Sequence, residues 1–301
     1  MQTRTYSVAM SLPTTPDTLL TVVHAAMSHG SHPRLRELLV GLTTHLHAFV
    51  REQQVTEAEF ERAVGFIVGI GQATGAEKNE VILASDLLGI STLVAMLNNP
   101  GAGSGAESDT ALLGPFWRAK APRCANGDNI ARGNTPGLTL EVSGTVFDAA
   151  GQPVVGAQVD VWQASPVGLY ENQDPTQLDM NLRGLFSTDA QGRYALRTVM
   201  PKGYPVPTDG PCGELLAVQR RQPLRPAHLH FMVSTPGHKV LVTQWFPEGT
   251  EHLHDDPVFG VTPSLVAACS QTTKNGQPVA QVQRDFHLLV GEMVFPHPPI
   301  P

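Results

Sequence analysis

The chain has 301 residues, 41% hydrophobic and 16% charged, which is the composition of a globular protein long enough for two domains. Its formal charge of −7 and the absence of a Lys/Arg cluster argue against nucleic-acid binding, which needs a basic face for phosphates. No run approaches the ~18 apolar residues of a membrane span, and no apolar stretch follows a basic N-terminus, so we expect a cytoplasmic protein with small substrates and no membrane partner.

The first third of the chain has helical periodicity. Apolar residues recur at spacings of three and four in residues 16–30, 34–53, 60–70 and 79–99. Thr56 and Glu59 have the spacing of a capping box ahead of the third segment. In the second segment six apolar residues form one broad stripe: Leu35, Leu38, Leu39, Leu42, Leu46 and Phe49. This pattern predicts a helical N-terminal domain, residues 1–105.

A segment rich in glycine and small polar residues, 98–110, joins this region to one of a different period. Beyond it apolar and polar residues alternate, with proline- and glycine-rich turns between the runs, in residues 138–148, 154–163, 187–199, 227–234, 239–246 and 281–295. Many short strands without intervening helices predict an antiparallel β-sandwich over residues 106–301. The expected fold class is therefore α+β.

The tripeptide His-Leu-His occurs three times, and its context decides what each copy can do. On a helix two residues apart point to nearly opposite sides, so His45 and His47 cannot bind one metal ion. The copy at residues 252 and 254 lies among acidic residues and a proline, which predicts a solvated loop. On a strand, however, such residues share a face, so His228 and His230 in "RPAHLHF" can converge on one ion.

Two histidines alone do not identify a site. Zinc or iron(II) would need a third histidine, a carboxylate or cysteines nearby, and "HLHFMVSTPGHK" lacks the glutamate expected of a cupin. The chain has four tyrosines, and two of them, Tyr170 and Tyr204, lie in proline- and glycine-rich loops at strand ends, where sites are commonly built. A zinc hydrolase and a non-enzymatic β-sandwich binding module remain alternatives at this point.

Residues 110–262 resemble the intradiol ring-cleaving dioxygenases, the group of catechol and hydroxyquinol 1,2-dioxygenases, and the helical region does so more loosely. The resemblance is carried by "GTVFDAAGQPVVGAQVDVWQASPVGLY", "LRGLFSTDAQGRYALRTVMPKGYPVPTDGP" and "RPAHLHFMVSTPGHKVLVTQWF", in this order. It implies one non-haem Fe(III) per subunit, with Tyr170, Tyr204, His228 and His230 as ligands. It also implies a homodimer through the helical domain, at whose interface a lipid can bind.

The same resemblance implies catalytic roles for Arg225, Gln244 and Tyr204. The Tyr204 phenolate is expected to leave the metal as the diol binds, and the Arg225 guanidinium to face the negative charge that develops over the ring. Gln244 is expected beside the metal. The implied products are open-chain dicarboxylic acids formed with O2.

Which diol is cleaved depends on "YPVPTDGPCGELL" and "ILASDLLG", which resemble the hydroxyquinol 1,2-dioxygenases. A carboxylate at Asp86 can accept a hydrogen bond from the third hydroxyl of 1,2,4-trihydroxybenzene, which would give 3-hydroxy-cis,cis-muconate. Catechol or a substituted catechol, giving cis,cis-muconates, is the alternative substrate. The resemblance places eight residues around the substrate: Leu83, Asp86, Leu113, Gly114, Pro115, Val206, Pro207 and Val258.

Overall fold

The computed structural model describes residues 12–75, 78–99 and 108–300. The chain forms two compact units that divide between Phe66 and Ile67. Most of the predicted joining segment, residues 100–107, lies outside the described residues. The division into domains 1–105 and 106–301 therefore stays a prediction.

Three helices begin the chain, as the periodicity predicted: α1 (Pro16–Met27), α2 (Pro33–Glu52) and α3 (Glu57–Ala73). The capping box ahead of α3 is present, because the Thr56 backbone N–H donates to Glu59 Oε2 (2.9 Å) and the Glu59 N–H donates to Thr56 Oγ1 (3.3 Å). Helices α1 and α2 are joined by an Asp17–Arg51 ion pair.

The apolar stripe of α2 lies at the surface of this single chain. Its six residues, Leu35, Leu38, Leu39, Leu42, Leu46 and Phe49, are 38–57% exposed. A contiguous apolar face of this kind is typical of an interaction surface rather than of the surface of a monomer.

The fourth predicted helix is two helices, α4 (Glu80–Leu87) and α5 (Ile90–Asn98). Gly89 lies between them with φ = 71°, a left-handed conformation that ends one helix and redirects the chain. Among the described residues no single helix is long and apolar enough to cross a membrane. Only α4 and α5 together reach that length and composition, and they are bent by 76° at their break.

Within residues 108–300 there are twelve strands: β1 (Thr139–Asp148), β2 (Gln158–Trp162), β3 (Arg183–Ser187), β4 (Arg193–Val199), β5 (Tyr204–Pro205), β6 (Leu224–Arg225), β7 (Leu229–Ser234), β8 (Leu241–Pro247), β9 (Val266–Ala267), β10 (Ser270–Lys274), β11 (Gln277–Gln283) and β12 (Phe286–Leu288). One sheet has the order β3-β2-β7-β8-β9. A second has the order β10-β11-β1-β12, with β4 also paired to β1, and β5 and β6 form a separate two-stranded sheet. The α+β fold class is confirmed.

The sheets are mixed, whereas the sequence predicted antiparallel pairing throughout. Strands β11 and β12 both run parallel to β1, and β9 runs parallel to β8. Local alternation of apolar residues predicts a strand but not the direction of its neighbour, because that direction depends on connections between distant parts of the chain.

Alternate residues of the first sheet face two different environments. On β7, Leu229, Phe231 and Val233 are buried in the core shared with the second sheet. The residues between them face the opposite side of the sheet. On that side Met232 of β7 and Trp162 of β2 pack in a separate aromatic cluster, which also contains Phe116, Trp117, Tyr170 and Tyr204. His230, which is opposite Trp162 in the ladder, faces this second cluster.

A helix interrupts the strands at a place where only strands and loops were predicted. Helix α6 (Pro211–Val218) lies between β5 and β6 and has Pro211 in its first turn. Glu80 at the start of α4 accepts a hydrogen bond from the Cys212 backbone N–H (3.0 Å), so a distant carboxylate supplies the N-terminal cap. The sequence of residues 211–218 alone does not predict this helix, because its N-terminal cap is the side chain of the distant Glu80.

Candidate metal centre

The four predicted ligands come from three segments that meet at one end of the first sheet. Tyr170 lies in the loop after β2, Tyr204 begins β5, and His228 and His230 lie at the start of β7. The rings of Tyr170 and Tyr204 are 5.3 Å apart between centroids, and the rings of Tyr204 and His228 are 5.5 Å apart. The structure therefore brings all four side chains into one cluster.

The two histidines present their ring nitrogens to each other. His228 Nε2 and His230 Nε2 are 3.0 Å apart, and the rings cross at 71°. His228 Nδ1 lies 2.8 Å from the Pro226 carbonyl oxygen, to which it donates, so the Nε2 atom of His228 carries a lone pair. Trp162 stacks on the His230 ring at 4.7 Å and fixes its plane.

Burial keeps both imidazoles neutral. It lowers the pKa of His228 to about 3, with the nearby Arg225 guanidinium adding to the effect. The pKa of His230 is also well below its ordinary value, first because of burial and then because of His228 and Arg225. A neutral imidazole is the form that binds a metal ion, so no proton has to be displaced at neutral pH.

Tyr170 is buried with an unsatisfied hydroxyl. Its side chain is stacked on Phe116 (4.6 Å between centroids), and its Oη atom has no hydrogen-bond partner among the described residues. Burial raises the pKa of Tyr170 well above 10, and the neighbouring Tyr204 adds to this, whereas Arg225 and Arg183 oppose it. A buried polar atom without a partner requires an explanation, and coordination of a cation is one.

The donor set fits a ferric ion. Within residues 12–75, 78–99 and 108–300 no group of three or more His, Cys, Asp or Glu side chains could hold a metal ion. A metal bound by the two histidines would therefore take its remaining protein ligands from the two tyrosines. Phenolate is a hard anionic donor, and it suits Fe(III) better than zinc or Fe(II).

Arg225 lies against this cluster and is held by a carboxylate. Its Nε atom donates to Asp256 Oδ1 (3.1 Å) and its Nη2 atom to Asp256 Oδ2 (3.2 Å), and both side chains are buried. Nη1 lies 3.3 Å from His228 Nε2, and Nη2 donates to Gln244 Oε1 (3.4 Å). Burial lowers the pKa of Arg225, but Asp256 and Tyr204 together more than offset this, so the pKa lies above its ordinary value and the group stays charged.

Gln244 connects Arg225 to the cluster of four predicted ligands. It is opposite His230 in the β7–β8 ladder, and its Nε2 atom donates to the Leu112 carbonyl (2.7 Å) and lies 3.3 Å from His230 Nδ1. Its amide therefore has a fixed orientation, with the oxygen toward Arg225 and the nitrogen toward His230.

A small enclosed cavity adjoins Tyr204 and Arg225. Seven of the eight predicted pocket residues line it; the full lining is Leu83, Asp86, Leu112, Gly114, Pro115, Phe116, Tyr204, Val206, Pro207, Arg225 and Val258. Leu113 does not line the cavity and packs instead on the aromatic cluster. At Gly114 (φ = 73°) an added Cβ atom would be 3.3 Å from the His230 ring, so a side chain there would crowd a predicted ligand.

Asp86 is the acidic group of this cavity. Burial raises its pKa to about 6, although the Ser91 hydroxyl and the Arg225 charge lower it in part. Near neutral pH the carboxylate is therefore mostly ionised and can accept a hydrogen bond from a ligand.

Besides the cavity residues Leu112 and Phe116, the sequence analysis missed two acidic residues near the site. Asp256 lies in a loop that was predicted to be solvated, and the signal that could have found it is the need of a buried arginine for a counter-charge. Glu80 joins the start of α4, which carries Asp86, to the chain after Tyr204 through Cys212. No local spacing connects residues so far apart in sequence.

Two family models match the chain. One, described as the catechol dioxygenase N terminus, matches residues 32–105, and the other, described as dioxygenase, matches residues 112–290. A hydroxyquinol 1,2-dioxygenase from Rhizobium sp. is 44% identical over 246 residues, 81% of this chain and 82% of that protein. A catechol 1,2-dioxygenase from Candida albicans is 37% identical over 81% of each chain. The structure of a hydroxyquinol 1,2-dioxygenase from Pseudomonas putida superposes with a TM-score of 0.84 at 35% identity, covering 92% of this chain and 99% of that one.

Proposed function

This chain belongs to the intradiol dioxygenase family, and on that premise we propose that it cleaves hydroxyquinol with O2 between two adjacent hydroxylated carbons. The enzymes of this family are generally dependent on non-haem iron. The observation that carries the proposal is the meeting of two phenol rings and two imidazole rings beside a cavity that contains Arg225 and Asp86. The product would be 3-hydroxy-cis,cis-muconate, a tautomer of maleylacetate.

In this proposal Tyr170, Tyr204, His228 and His230 hold one Fe(III) per subunit. Bound there, the ion would draw electron density from a coordinated diol, so that a ring carbon becomes the site of attack by O2. Two phenolates, two neutral imidazoles and a hydroxide leave the assembly near neutral. That balance suits a site where the nearby charges of Arg225 and Asp256 already form a pair.

Tyr204 moves a proton and Tyr170 stays in place. Tyr204 borders the cavity, and its Oη atom would accept one of the two protons of a diol bound there, the other going to the hydroxide. Tyr170 is not one of the residues that line the cavity, and it is stacked on Phe116. These positions are the reason for giving the leaving role to Tyr204 and the permanent role to Tyr170.

Arg225 stabilises the negative charge that develops over the ring, and Gln244 orients it. The guanidinium is pre-organised by Asp256, so no reorganisation is needed as the charge appears. Asp86 is proposed to accept a hydrogen bond from the third hydroxyl of the substrate. This contact favours hydroxyquinol over catechol, as does the higher identity to the hydroxyquinol enzyme than to the catechol enzyme.

The helical stripe of α2 is proposed as part of a homodimer interface. Pairing would remove six half-exposed apolar side chains on one helix face from water, and the burial of apolar surface is the usual driving force of association. A lipid at that interface stays a prediction. Sedimentation of the purified protein at several concentrations tests the dimer.

One experiment tests the activity. The purified protein is analysed for iron and then incubated with O2 and either hydroxyquinol or catechol, and the ring-opened acids are identified. We expect about one iron per chain and faster cleavage of hydroxyquinol. Faster cleavage of catechol would support the alternative substrate, and a protein without iron or turnover would support a binding module instead.

A further inference from the structure

A second arginine, Arg183, is buried beneath the proposed ligand Tyr170. It is the first residue of β3, is 1% exposed, and is opposite Trp162 in the β2–β3 ladder. Because Trp162 is in turn opposite His230, the three residues form one row across the sheet. The Arg183 Cζ atom lies 5.8 Å from the centroid of the Tyr170 ring, within the range of a cation–π contact.

Arg183 also holds the chain at Tyr170 through the next residue. Its Nε atom donates to Glu171 Oε1 (2.7 Å), and both side chains are 1% exposed. Arg118 donates to the same oxygen (2.9 Å) and to Asp179 (2.8 Å), so Glu171 is held from two sides. The backbone that carries the Tyr170 phenol is therefore tied to β3.

The burial of this pair is costly to the fold. Arg183 Nη1 and Nη2 and Glu171 Oε2 are all buried and have no hydrogen-bond partner among the described residues. A pair of apolar side chains of similar volume would usually stabilise the fold equally well or better. The buried Arg183–Glu171 pair is explained if the charge of Arg183 acts on the neighbouring Tyr170 ring and does not serve to stabilise the fold.

We propose that Arg183 is a positioning residue for Tyr170, fixing the phenol through Glu171 and placing a positive charge against its ring. The inference rests on the proposed function, because it takes Tyr170 to be a phenolate ligand. A nearby cation stabilises the electrons of a phenolate, so the phenolate donates less charge to the ion it binds. Its charge-transfer absorption then lies at shorter wavelength than it would without Arg183.

The test compares visible absorption maxima of the iron-loaded protein and its variants. Arg183→Met and Arg183→Gln both remove the charge, and the glutamine can still donate to Glu171. For one unit charge ~6 Å from the ring at an effective dielectric constant of ~20, we expect the maximum to move to longer wavelength by roughly 10–20 nm. Arg183→Lys keeps a cation and should move the maximum by less than half as much as the neutral variants.

A matched control separates this effect from a general loss of packing. Arg284 is a half-buried arginine whose Nε atom also lacks a partner among the described residues, and its carbonyl oxygen accepts from Tyr194, which is not a proposed ligand. Arg284→Met should lower stability yet leave the absorption maximum unchanged. A shift of equal size in Arg284→Met would overturn the proposal.

The remaining outcomes distinguish this inference from the proposed function. Wild-type protein that binds no iron and has no visible band would contradict the proposed function itself. A coloured wild type whose maximum stays fixed in both neutral Arg183 variants, at unchanged iron content, would show that Arg183 is structural only. We also expect kcat to fall about tenfold in the neutral variants with KM nearly unchanged, since substrate binding does not involve Arg183.

Discussion

Tyr204 and Arg225 are directly opposite each other in the two-stranded β5–β6 ladder. The phenol that is proposed to leave the metal and the cation that is proposed to face the ring are thus held in one fixed register. Asp256 completes the unit by holding the guanidinium in a buried ion pair. Variants of Tyr204 and Asp256 test this unit.

Tyr204→Phe removes the hydroxyl that is proposed to bind the metal and accept a diol proton. We expect the visible band to weaken and kcat to fall by roughly 10²–10⁴-fold, the range for loss of a positioned proton-transfer group, while the fold is retained. Absorption spectra, steady-state kinetics and circular dichroism measure the three effects. Unchanged turnover would count heavily against the assignment.

Tyr194→Phe is the matched control for that variant. Tyr194 is equally buried but packs in the sandwich core, where its hydroxyl donates to the Arg284 carbonyl (2.7 Å). We expect a loss of about 1 kcal/mol of unfolding free energy, with colour and turnover kept. A loss of colour in this variant would mean that the band does not report on the proposed ligands.

Asp256→Ala leaves the Arg225 cation buried without its counter-charge. Breaking a buried ion pair in this way costs roughly 3–5 kcal/mol, and we expect that loss in urea unfolding together with a large fall in kcat. Asp255→Ala is the neighbouring control, since the Asp255 side chain is exposed and pairs with His252. It should change stability by less than about 0.5 kcal/mol. Similar losses in the two variants would contradict the proposed role of Asp256.

The contrast between these two aspartates illustrates what the sequence could and could not predict. The His228–His230 pair was predictable because alternation on a strand is a local property, and the structure places both rings on one face. Asp256 was not, because its partner is 31 residues away and the loop that carries it has the composition of a solvated surface. For the same reason Glu80 and the parallel strands β11 and β12 escaped prediction, since each depends on contacts between distant segments.

The pocket residues show a second limit of prediction from the sequence. A motif position predicted Leu113, whereas the cavity is lined by Leu112 and Gly114 on either side of it. Gly114 has a left-handed backbone conformation and begins a run of three consecutive lining residues, Gly114 to Phe116, whereas Leu113 just before this turn packs on the aromatic cluster. Spacing in the sequence does not reveal such a turn.

Asp86→Ala tests the proposed substrate preference. The Asp86 carboxylate is expected to accept a hydrogen bond from the third hydroxyl of hydroxyquinol, and a charged hydrogen bond contributes roughly 1.5–3 kcal/mol. We therefore expect kcat/KM for hydroxyquinol to fall roughly 10–100-fold more than kcat/KM for catechol, as the same free energy requires. Leu83→Ala, in the same cavity wall, should reduce both by similar factors. Equal losses for the two substrates in Asp86→Ala would remove the reason for preferring hydroxyquinol.

The raised pKa of Asp160 should make the free energy of unfolding depend on pH. This carboxyl is buried under Trp117, whose Nε1 atom donates to it (3.1 Å), and burial raises its pKa to about 6 despite that hydrogen bond. The folded protein therefore holds the Asp160 proton more tightly than the unfolded chain, whose aspartates have a pKa near 3.9. The stability from this group is fully present below about pH 4 and is lost as the pH rises through about 6.

Asp160→Asn should remove this dependence, because the amide stays neutral and its oxygen can still accept from Trp117. We expect the variant to be roughly 2–3 kcal/mol more stable than the wild type at pH 7.5 and similar to it at pH 4, measured by urea unfolding. Asp189→Asn is a control of opposite sign, since hydrogen bonds from the Arg193 and Gln191 backbone lower the pKa of Asp189. That variant should lose stability at neutral pH. If Asp160→Asn were less stable than the wild type at pH 7.5, Asp160 would be a stabilising anion rather than a buried acid.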